Sequence, residues 1–351
     1  MLAPVLAERL AHQLLSGPAA PDPVTVAGRL LAIQAQDVRG ALLAVRARSR
    51  GLDRLDVERA CTDDRTLVVT WLNRGTLHLV RSDDYAWLHA LTAPTTRTVN
   101  ARRLAEEGVT PPAAARGTRV IVAELERDGL RTRDQLRATL ERAGVRTEGQ
   151  ALVHILLRAS LDGHIVRGPF VDGAQAYVLT RDWIGPTGRV DRDAALAELA
   201  RRYLAGHGPA DDRDLAKWSG LPLRDTRAAL RSISDELRHR EDGLVELDAR
   251  RTRRTTLRPR LLGQFDPVLH GWSSREEIVG AHRGVVTVNG IFRPIALVDG
   301  IAAGIWSITP SAIELRTFRA LADDAVQALE REASDVLRFL RLERRPLRVL
   351  T

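Results

Sequence analysis

The chain has 351 residues, a formal net charge of +8 and an isoelectric point near 10.7. Such a length exceeds what one hydrophobic core usually serves, and it predicts about two to four modules. Hydrophobic residues make up 44% of the chain and charged residues 28%, which is typical of a soluble globular protein rather than a disordered or membrane-embedded one.

Two rare residue types restrict the chemistry. Cys61 is the only cysteine and Lys217 the only lysine among 53 basic residues. One thiol excludes an internal disulfide, a zinc finger or an iron–sulfur cluster. The nine histidines contain no H-x-x-x-H or H-E-x-x-H pair, which leaves a His-carboxylate metal site open; we nevertheless predict neither a metal nor a cofactor. A GC-rich genome explains arginine over lysine, whereas the net positive charge fits a polyanionic partner such as nucleic acid.

The first segment, MLAPVLAERLAHQLL, carries Glu8, Arg9 and His12 and reads as an amphipathic helix rather than a signal peptide. No segment approaches the roughly 20 apolar residues that a membrane-spanning helix needs. We therefore expect a cytoplasmic protein that does not engage a membrane.

Residues 1–112 are predicted to form a decorated winged-helix module. Helices are expected at about 3–15 and 24–35, while RGALLAVRAR (39–48) could be helix or strand. The segment LDRLDVERAC is predicted to be helical. The stretch TLVVTWLNRGTLHLV predicts a hairpin around Asn73-Arg74-Gly75, and SDDYAWLHALT a further helix capped by Ser82.

Residues 113–190 predict a second winged helix. Three helical segments, TRVIVAELERDG, RTRDQLRATLERAG and EGQALVHILLRASLDG, precede the short strands HIVRG and AQAYVLT. The middle helix opens with Thr132 and Gln135, the spacing of a capping box. A helix-turn-helix followed by a β-hairpin is the winged-helix pattern. Residues 191–249 repeat it, with LPLRDTRAALRSISDEL as the recognition-helix candidate and LVELD as a wing strand.

The pattern changes in residues 250–351. Six arginines fall within Arg250–Arg260. The strands that follow are punctuated by Asn289-Gly290 and Asp299-Gly300, both strong hairpin turns, and AVQALEREASDVLRFL predicts a closing amphipathic helix. The expected fold class is α+β: tandem winged-helix modules followed by a small antiparallel β-barrel or sheet.

The stretch LLAIQAQDVRG places Gln34 and Gln36 two residues apart. A polar helix end is the ordinary explanation. On a continuous helix the two side chains would point about 200° apart. They could act together only if the helix ends here, as Val38 and Gly40 suggest, or if this turn is distorted.

Glutamine offers one carbonyl acceptor and two N–H donors but cannot act as a general base at neutral pH. It can orient a water molecule and stabilise developing charge, which suffices only for a substrate that is already activated. Alkylated purines fit, because alkylation at N7 or N3 makes the base cationic and a good leaving group. Cleavage then passes through an oxocarbenium-like sugar, around which a water and suitable dipoles must be positioned.

The sequence resembles the bacterial AlkZ-type winged-helix DNA glycosylases, which excise N-alkylpurines and unhook interstrand crosslinks. The resemblance covers nearly the whole chain. It rests on IQAQD (33–37), WLNRGTLHLV (71–80), the two further winged-helix blocks, and FDPVLHGW followed by VNGIFRPIALVDG. The family's catalytic Gln-x-Gln falls on Gln34 and Gln36. A sister branch carries Gln-x-Asp, so the match is to the crosslink-unhooking branch.

The resemblance implies that three winged helices form a positively charged, C-shaped channel around double-stranded DNA carrying alkylated or crosslinked purines. It also implies a β-hairpin that contacts DNA near the lesion. In AHRGVVTVNG the hairpin tip is either the turn at Asn289-Gly290 or the loop around His282 and Arg283. We expect a monomer associated with the nucleoid.

Lysine content bears on the reaction type. Bifunctional glycosylase/lyases form a Schiff base with an amine, and Lys217, the only side-chain amine, lies within a predicted helix-turn-helix. A monofunctional, hydrolytic glycosylase is therefore favoured. Bulky crosslinked bases also suit an open cleft better than a deep base-flipping pocket.

Three residues close to these motifs have two interpretations each. Asp37 could hold the water, or bond local backbone or an arginine. His78 alternates with Leu77 and Leu79 and could contact DNA or the active site, or be a hydrogen-bonded strand histidine. Arg74, at the hairpin tip, is either a phosphate contact or a solvated turn residue.

The densest basic cluster could bind phosphates or be a solvated linker; its members are Arg250, Arg251, Arg253 and Arg254. In FDPVLHGW we expect structural roles for Phe265, Asp266 and Trp272, whereas His270 could approach the lesion. The rival function is a non-enzymatic multi-winged-helix DNA-binding protein, such as a transcription regulator, which would release no base.

Overall fold

The computed structural model of the protein describes residues 4–248 and 257–350. The chain divides into two units. Unit 1 takes in the described residues of 1–57, 197–218 and 222–351, and unit 2 comprises residues 58–196 and 219–221.

The N-terminal elements are short helices around one extended segment: α1 Pro4–His12, α2 Pro23–Leu30, β1 Ile33–Gln34, α3 Val38–Arg48 and α4 Arg54–Thr62. The side chain of Asp22 caps α2 by accepting from Thr25 N at 2.7 Å. The prediction that this helix reaches residue 35 is wrong, because Leu31 takes a φ of 64° that a helix cannot continue. The segment 39–48, open between helix and strand, is helical.

The predicted hairpin is confirmed in unit 2 as β2 Leu67–Leu72 and β3 Thr76–Arg81, followed by the long helix α5 Ser82–Glu106. The two strands pair antiparallel, with Thr70 opposite His78. Ser82 was predicted as the helix cap, and this is wrong. Arg81 holds the N-cap position, and the Ser82 hydroxyl instead donates to the carbonyl of Arg65 at 2.5 Å.

The second predicted module supplies α6 Pro111–Asp128, α7 Arg133–Arg142, α8 Ala151–Leu161, β4 Ile165–Val171, β5 Ala174–Leu179 and α9 Thr180–Trp183. The capping box of Thr132 and Gln135 is confirmed. Within unit 2 the antiparallel strands run β3-β2-β4-β5. The hairpins of the first two predicted modules are thus neighbours in one sheet, joined where Val69 pairs with Arg167.

The next segment contains three helices and a two-stranded hairpin: α10 Arg192–His207, α11 Asp212–Ser219, α12 Leu223–Ser232, β6 Leu237–His239 and β7 Val245–Leu247. Tyr203, His207 and Trp218 pack against one another within unit 1, with ring centroids 4.8 to 5.4 Å apart. These aromatic side chains belong to the hydrophobic core of the unit.

The C-terminal part forms an open sheet ordered β12-β11-β10-β9-β8. Its elements are β8 Arg260–Leu262, α13 Glu276–Val279, β9 Ile295–Val298, β10 Ile301–Ile308, β11 Ile313–Thr317, α14 Asp323–Leu340 and β12 Leu347–Leu350. The alternative of a closed barrel is wrong, because the order does not return to its first strand. A wholly antiparallel sheet is also wrong, because β11 and β12, which α14 connects, pair in parallel.

Of the two predicted turns in this sheet, Asp299-Gly300 joins β9 to β10 as expected. The segment before Asn289-Gly290 is not a regular strand. A 3-10 helix occupies Arg283–Val285, and only an isolated bridge pairs Val286 with Phe292. Across both described stretches, no helix combines the length and the apolarity needed to cross a bilayer.

Candidate active site

The Gln-x-Gln segment is extended rather than helical. Helix α2 ends at Leu30, the chain reverses at Leu31, and Ile33–Gln34 is a two-residue strand. In extended backbone, residues two apart point to the same side. The geometric objection to a joint role for Gln34 and Gln36 on a helix therefore disappears.

The two carboxamides touch each other. Gln34 Nε2 donates a hydrogen bond to Gln36 Oε1. Gln34 is buried at 6% exposure, while Gln36 is exposed. The pair thus joins a buried amide to one that solvent or a ligand reaches. Ile33 and Ala35 alternate with the glutamines along the segment, and both side chains are buried. Their burial holds the segment in place.

The carbonyl oxygen of Gln34 has no hydrogen-bond donor among the described residues, although it is buried. A buried, unsatisfied acceptor costs about 1–3 kcal/mol, and such groups are rare outside functional sites. The Gln34 carbonyl can accept a hydrogen bond from a water or from a substrate group.

Asp37 ends the extended segment and begins α3. Its Oδ1 accepts from Gly40 N at 2.5 Å, so the carboxylate is the helix N-cap. Val38 and Gly40, interpreted as the end of a helix, instead lie in the first turn of the next one. The local-backbone interpretation of Asp37 describes the observed contact, and a catalytic contribution remains a prediction.

Gly40 brings α3 against the loop that follows β8. A Cβ at Gly40 would collide with the carbonyl oxygen of Gln264, and one at Gly263 would lie 2.9 Å from the Gly40 carbonyl oxygen. Two glycines facing each other permit this close backbone approach. The contact fixes the start of α3, and with it the segment that carries the glutamines.

The other end of α3 is anchored by Arg48 and Asp266, which are both fully buried. Arg48 donates to the two carboxylate oxygens of Asp266 at 2.8 and 2.9 Å. It also donates to Gln13 and to the Ala44 carbonyl. All five N–H groups of the guanidinium are therefore used. The structural role predicted for Asp266 agrees with this contact.

The rest of FDPVLHGW packs in unit 1 as well. The Trp272 indole donates to the His207 carbonyl at 2.8 Å, which agrees with its predicted structural role. His270 is half-buried, and its ring lies 4.1 Å from that of Phe292 and 6.1 Å from that of Phe265. The proposed contact between His270 and the lesion remains a prediction.

His78 is buried on β3 at 3% exposure, and its Nδ1 hydrogen-bonds the Thr76 carbonyl at 2.9 Å. Burial, reinforced by the positive charge of Arg74, lowers the pKa of His78 to about 3. The ring is thus neutral at physiological pH and cannot supply a proton as an imidazolium. Its contacts are those of a hydrogen-bonded strand histidine; a supporting catalytic role remains a prediction.

Arg74 occupies the turn between β2 and β3 with a φ of 56° and is exposed. Together with Gly75 and Arg103 it lines a unit 2 cavity of about 370 Å³. The preceding Asn73 is buried, and neither end of its side-chain amide has a partner in the described chain. An exposed guanidinium on a fixed turn suits a phosphate contact, so this prediction for Arg74 stands as a proposal.

The turn at residues 287–291 contains Asn289-Gly290, one of the two candidates for the tip of the predicted lesion-side hairpin. Gly290 N donates to the Thr287 carbonyl at 2.9 Å, and Asn289 is exposed beside it. His282 is not at this tip: its ring stacks on Phe318 at 4.2 Å. The side chain of Arg283, and the whole of Arg250, Arg251, Arg253 and Arg254, lie outside the described residues.

Sequence reasoning missed the apolar side chains of this turn. Val288 is 106% exposed, and Ile291 is 44% exposed. These two side chains place apolar surface next to the proposed contact residue Asn289. The apolar residues are visible in the sequence VTVNGI, but their alternation with polar residues was interpreted as part of a β-strand.

Within residues 4–248 and 257–350, no group of three or more His, Cys, Asp or Glu side chains could hold a metal ion. The only cysteine, Cys61, is buried, and burial raises the pKa of its thiol to about 12. That thiol is not an activated nucleophile.

Comparisons with known proteins place the chain among the DNA glycosylases. A family model described as DNA glycosylase AlkZ-like matches residues 27–339, and the chain belongs to that family. A relative from Streptomyces sahachiroi, described as an interstrand DNA cross-link repair glycosylase, is 29% identical over 371 aligned positions, covering 99% of this chain and 98% of the relative.

The solved structure of Streptomyces sahachiroi DNA glycosylase AlkZ superposes with a TM-score of 0.80. It is 27% identical, and the match covers 100% of both chains. The resemblance inferred from the sequence motifs is therefore confirmed for the family and for the mixed α and β fold.

Proposed function

We propose that this protein is a monofunctional DNA glycosylase that hydrolyses the N-glycosidic bond of N7-alkylguanine and other N-alkylpurines and unhooks interstrand crosslinks. The observation that carries the proposal is the glutamine pair, in which the buried Gln34 carbonyl has no donor in the described structure while Gln36 reaches the surface. The full-length similarity to an interstrand DNA cross-link repair glycosylase supports the crosslinked substrate.

The reaction needs little from the protein because the alkylated base is already cationic. The bond between C1′ and the base nitrogen breaks, and its electron pair neutralises the base. A water oxygen then bonds to C1′ and releases a proton to solvent. Gln34 Oε1 accepts a hydrogen bond from this water, and its carbonyl dipole stabilises the positive charge on the sugar. Gln36 holds the Gln34 amide in place through their mutual hydrogen bond.

Two observations support hydrolysis without a Schiff base. The only side-chain amine is Lys217, an exposed residue of the short helix α11. A lyase mechanism would need an amine that reaches C1′ of the sugar. The glutamines provide acceptors and donors only, which suits activation of water by orientation.

The proposed partner is double-stranded DNA, engaged by a monomer at the nucleoid. The net charge of +8 favours a polyanion. Helices α7 and α8 with the β4–β5 hairpin have the order of elements of a winged helix, and we assign them to duplex binding. Arg74 and Asn289 are proposed phosphate or groove contacts.

The test uses purified full-length protein and a duplex carrying a single N7-methylguanine or a nitrogen-mustard crosslink. We expect abasic sites, visible as strand breaks after alkali, and crosslink unhooking on a denaturing gel. Tight binding without base release from either substrate would contradict the enzymatic proposal and favour a DNA-binding regulator instead.

A further inference from the structure

A second concave site lies in unit 1 at the end of α3 away from the glutamines. Its cavity volume is about 470 Å³, within the range of small-molecule sites. It is lined by the end of α3, the loops at residues 14–19 and 49–52, strand β8 and helix α14. Because α3 has eleven residues, its two ends are about 16 Å apart, and the cavity is lined from the end opposite to the Gln-x-Gln segment.

Arginines dominate this lining: Arg46, Arg50, Arg258, Arg260 and Arg338. Two carboxylates, Glu332 and Asp335, are set against these five cations, so the lining carries three net positive charges. We call this site the arginine pocket.

The two carboxylates position part of the arginine set. Arg46 donates to Glu332 at 2.8 Å and to Asp335 at 3.0 Å. Arg260 reaches Glu332 at 2.9 Å, and Arg338 reaches Asp335 at 2.7 Å. These ion pairs hold three guanidinium groups in fixed directions before any ligand arrives, which lowers the entropic cost of binding.

Several donors of the arginine pocket are unused. The Nε atoms of Arg46 and Arg260 are buried without an acceptor in the described structure. Arg46 itself is only 4% exposed. Arg50 and Arg258 are exposed, and neither forms an ion pair with another described residue. Buried donors and unpaired cations in one cavity indicate that an anion completes the site.

We propose that the arginine pocket binds a phosphate group. The planar guanidinium binds phosphate oxygens in a bidentate fashion, and several such groups converge here. The phosphate comes either from the DNA backbone or from a free phosphoryl compound. For the backbone source the inference rests on the proposed function.

The test compares two double variants of the full chain. Arg50→Gln/Arg258→Gln removes the two unpaired cations of the arginine pocket. Arg331→Gln/Arg344→Gln removes the same charge from exposed positions of unit 1 outside the pocket. All four side chains are exposed, so both variants should fold, which the melting temperature without ligand checks.

The first arm measures affinity for an undamaged duplex at increasing salt. The slope of log K against log salt is negative, and we expect its magnitude to decrease by about one in the pocket variant. In the control variant the slope should stay within a few tenths of the wild-type value. The second arm measures the melting temperature with sodium pyrophosphate against sodium chloride at equal ionic strength. A rise of about 2 °C or more in the wild type that the pocket variant loses identifies a free phosphoryl ligand.

Either change supports the phosphate site and identifies the source of the phosphate. The proposal is overturned if neither arm responds, or if the control variant responds as strongly as the pocket variant. Neither readout requires base release. A glycosylase without this site and a phosphate-binding protein without glycosylase activity therefore give different results.

Discussion

The two ends of α3 carry buried polar groups of opposite kinds. At the C-terminal end Arg48 uses every donor and Asp266 accepts from Arg48 and from the backbone. Just before the N-terminal end, Gln34 is also buried but keeps a carbonyl without a donor in the described structure. Packing alone would not select an unsatisfied acceptor, because burying it costs free energy.

We interpret the satisfied Arg48–Asp266 pair as a structural polar network and the unsatisfied Gln34 amide as a functional group. In this interpretation a water or a substrate group binds at the Gln34 carbonyl. Removing a group from the Arg48–Asp266 pair should lower the free energy of unfolding. Removing one from the glutamine pair should slow base release with little effect on folding.

The largest effect on stability is expected for Asp266→Ala. This change leaves the Arg48 guanidinium charged, buried and without its carboxylate, which typically costs about 3–5 kcal/mol of unfolding free energy. Urea unfolding monitored by circular dichroism checks it. Glu106→Ala is the matched control, because Glu106 pairs with Arg102 and Arg103 on the surface and its removal should leave the unfolding midpoint unchanged.

Gly40→Ala tests whether the close backbone approach fixes the start of α3. The new Cβ would collide with the Gln264 carbonyl, so we expect a loss of about 1–3 kcal/mol together with slower base release. At Gly188 an added Cβ meets nothing within 4 Å. Gly188→Ala should therefore match the wild type in both measurements, and equal losses in the two variants would remove this explanation.

His78 predicts a pH effect on stability. The folded-state pKa is near 3 and the ordinary value is 6.5, so the unfolded chain takes up the proton first. The contribution of His78 to the free energy of unfolding is fully present above pH 6.5. It decreases as the pH falls, and the loss reaches about 2 kcal/mol at pH 5. His78→Gln should reduce the loss between pH 7 and pH 5 by that amount. An unchanged pH dependence would show that the ring is not buried as described.

Two substitutions at Asp37 distinguish a capping role from a catalytic role, and their expected effect on stability is smaller than the effects above. Asp37→Ala removes the N-cap of α3 and should cost about 1 kcal/mol. Asp37→Ser keeps a capping oxygen and should restore the stability. If the serine variant also restores base release, the capping role alone explains why Asp37 is needed. A stable serine variant that releases no base would give the carboxylate a catalytic part.

Much of the fold could be predicted because local signals agreed with the final structure. The alternating strands around Asn73, the Thr132 capping box and the Asp299-Gly300 turn each have a short-range cause. The parallel strand β12 could not be predicted, since its pairing with β11 is set by the return of the chain after α14. The joining of the two hairpins at Val69 and Arg167 is likewise a long-range choice.

The candidate site was predictable in composition but not in geometry. The glutamines were named from spacing and resemblance, yet a helical period was assigned to residues 24–35. That assignment failed because Leu31, an apolar residue with no turn signal, takes a positive φ. Nothing local in the sequence announces this reversal, and Leu31 is fully buried where it occurs.

The most direct test of the account is a double-mutant cycle on the glutamine pair. Single-turnover base release is measured for Gln34→Ala, Gln36→Ala and the double variant at saturating protein, with duplex affinity measured in parallel. Because the two amides act as one hydrogen-bonded unit, we expect each single change to slow release by about 10²–10³, and the double change to slow it no further. Losses that multiply in the double variant, or that follow lost DNA affinity, would contradict the account.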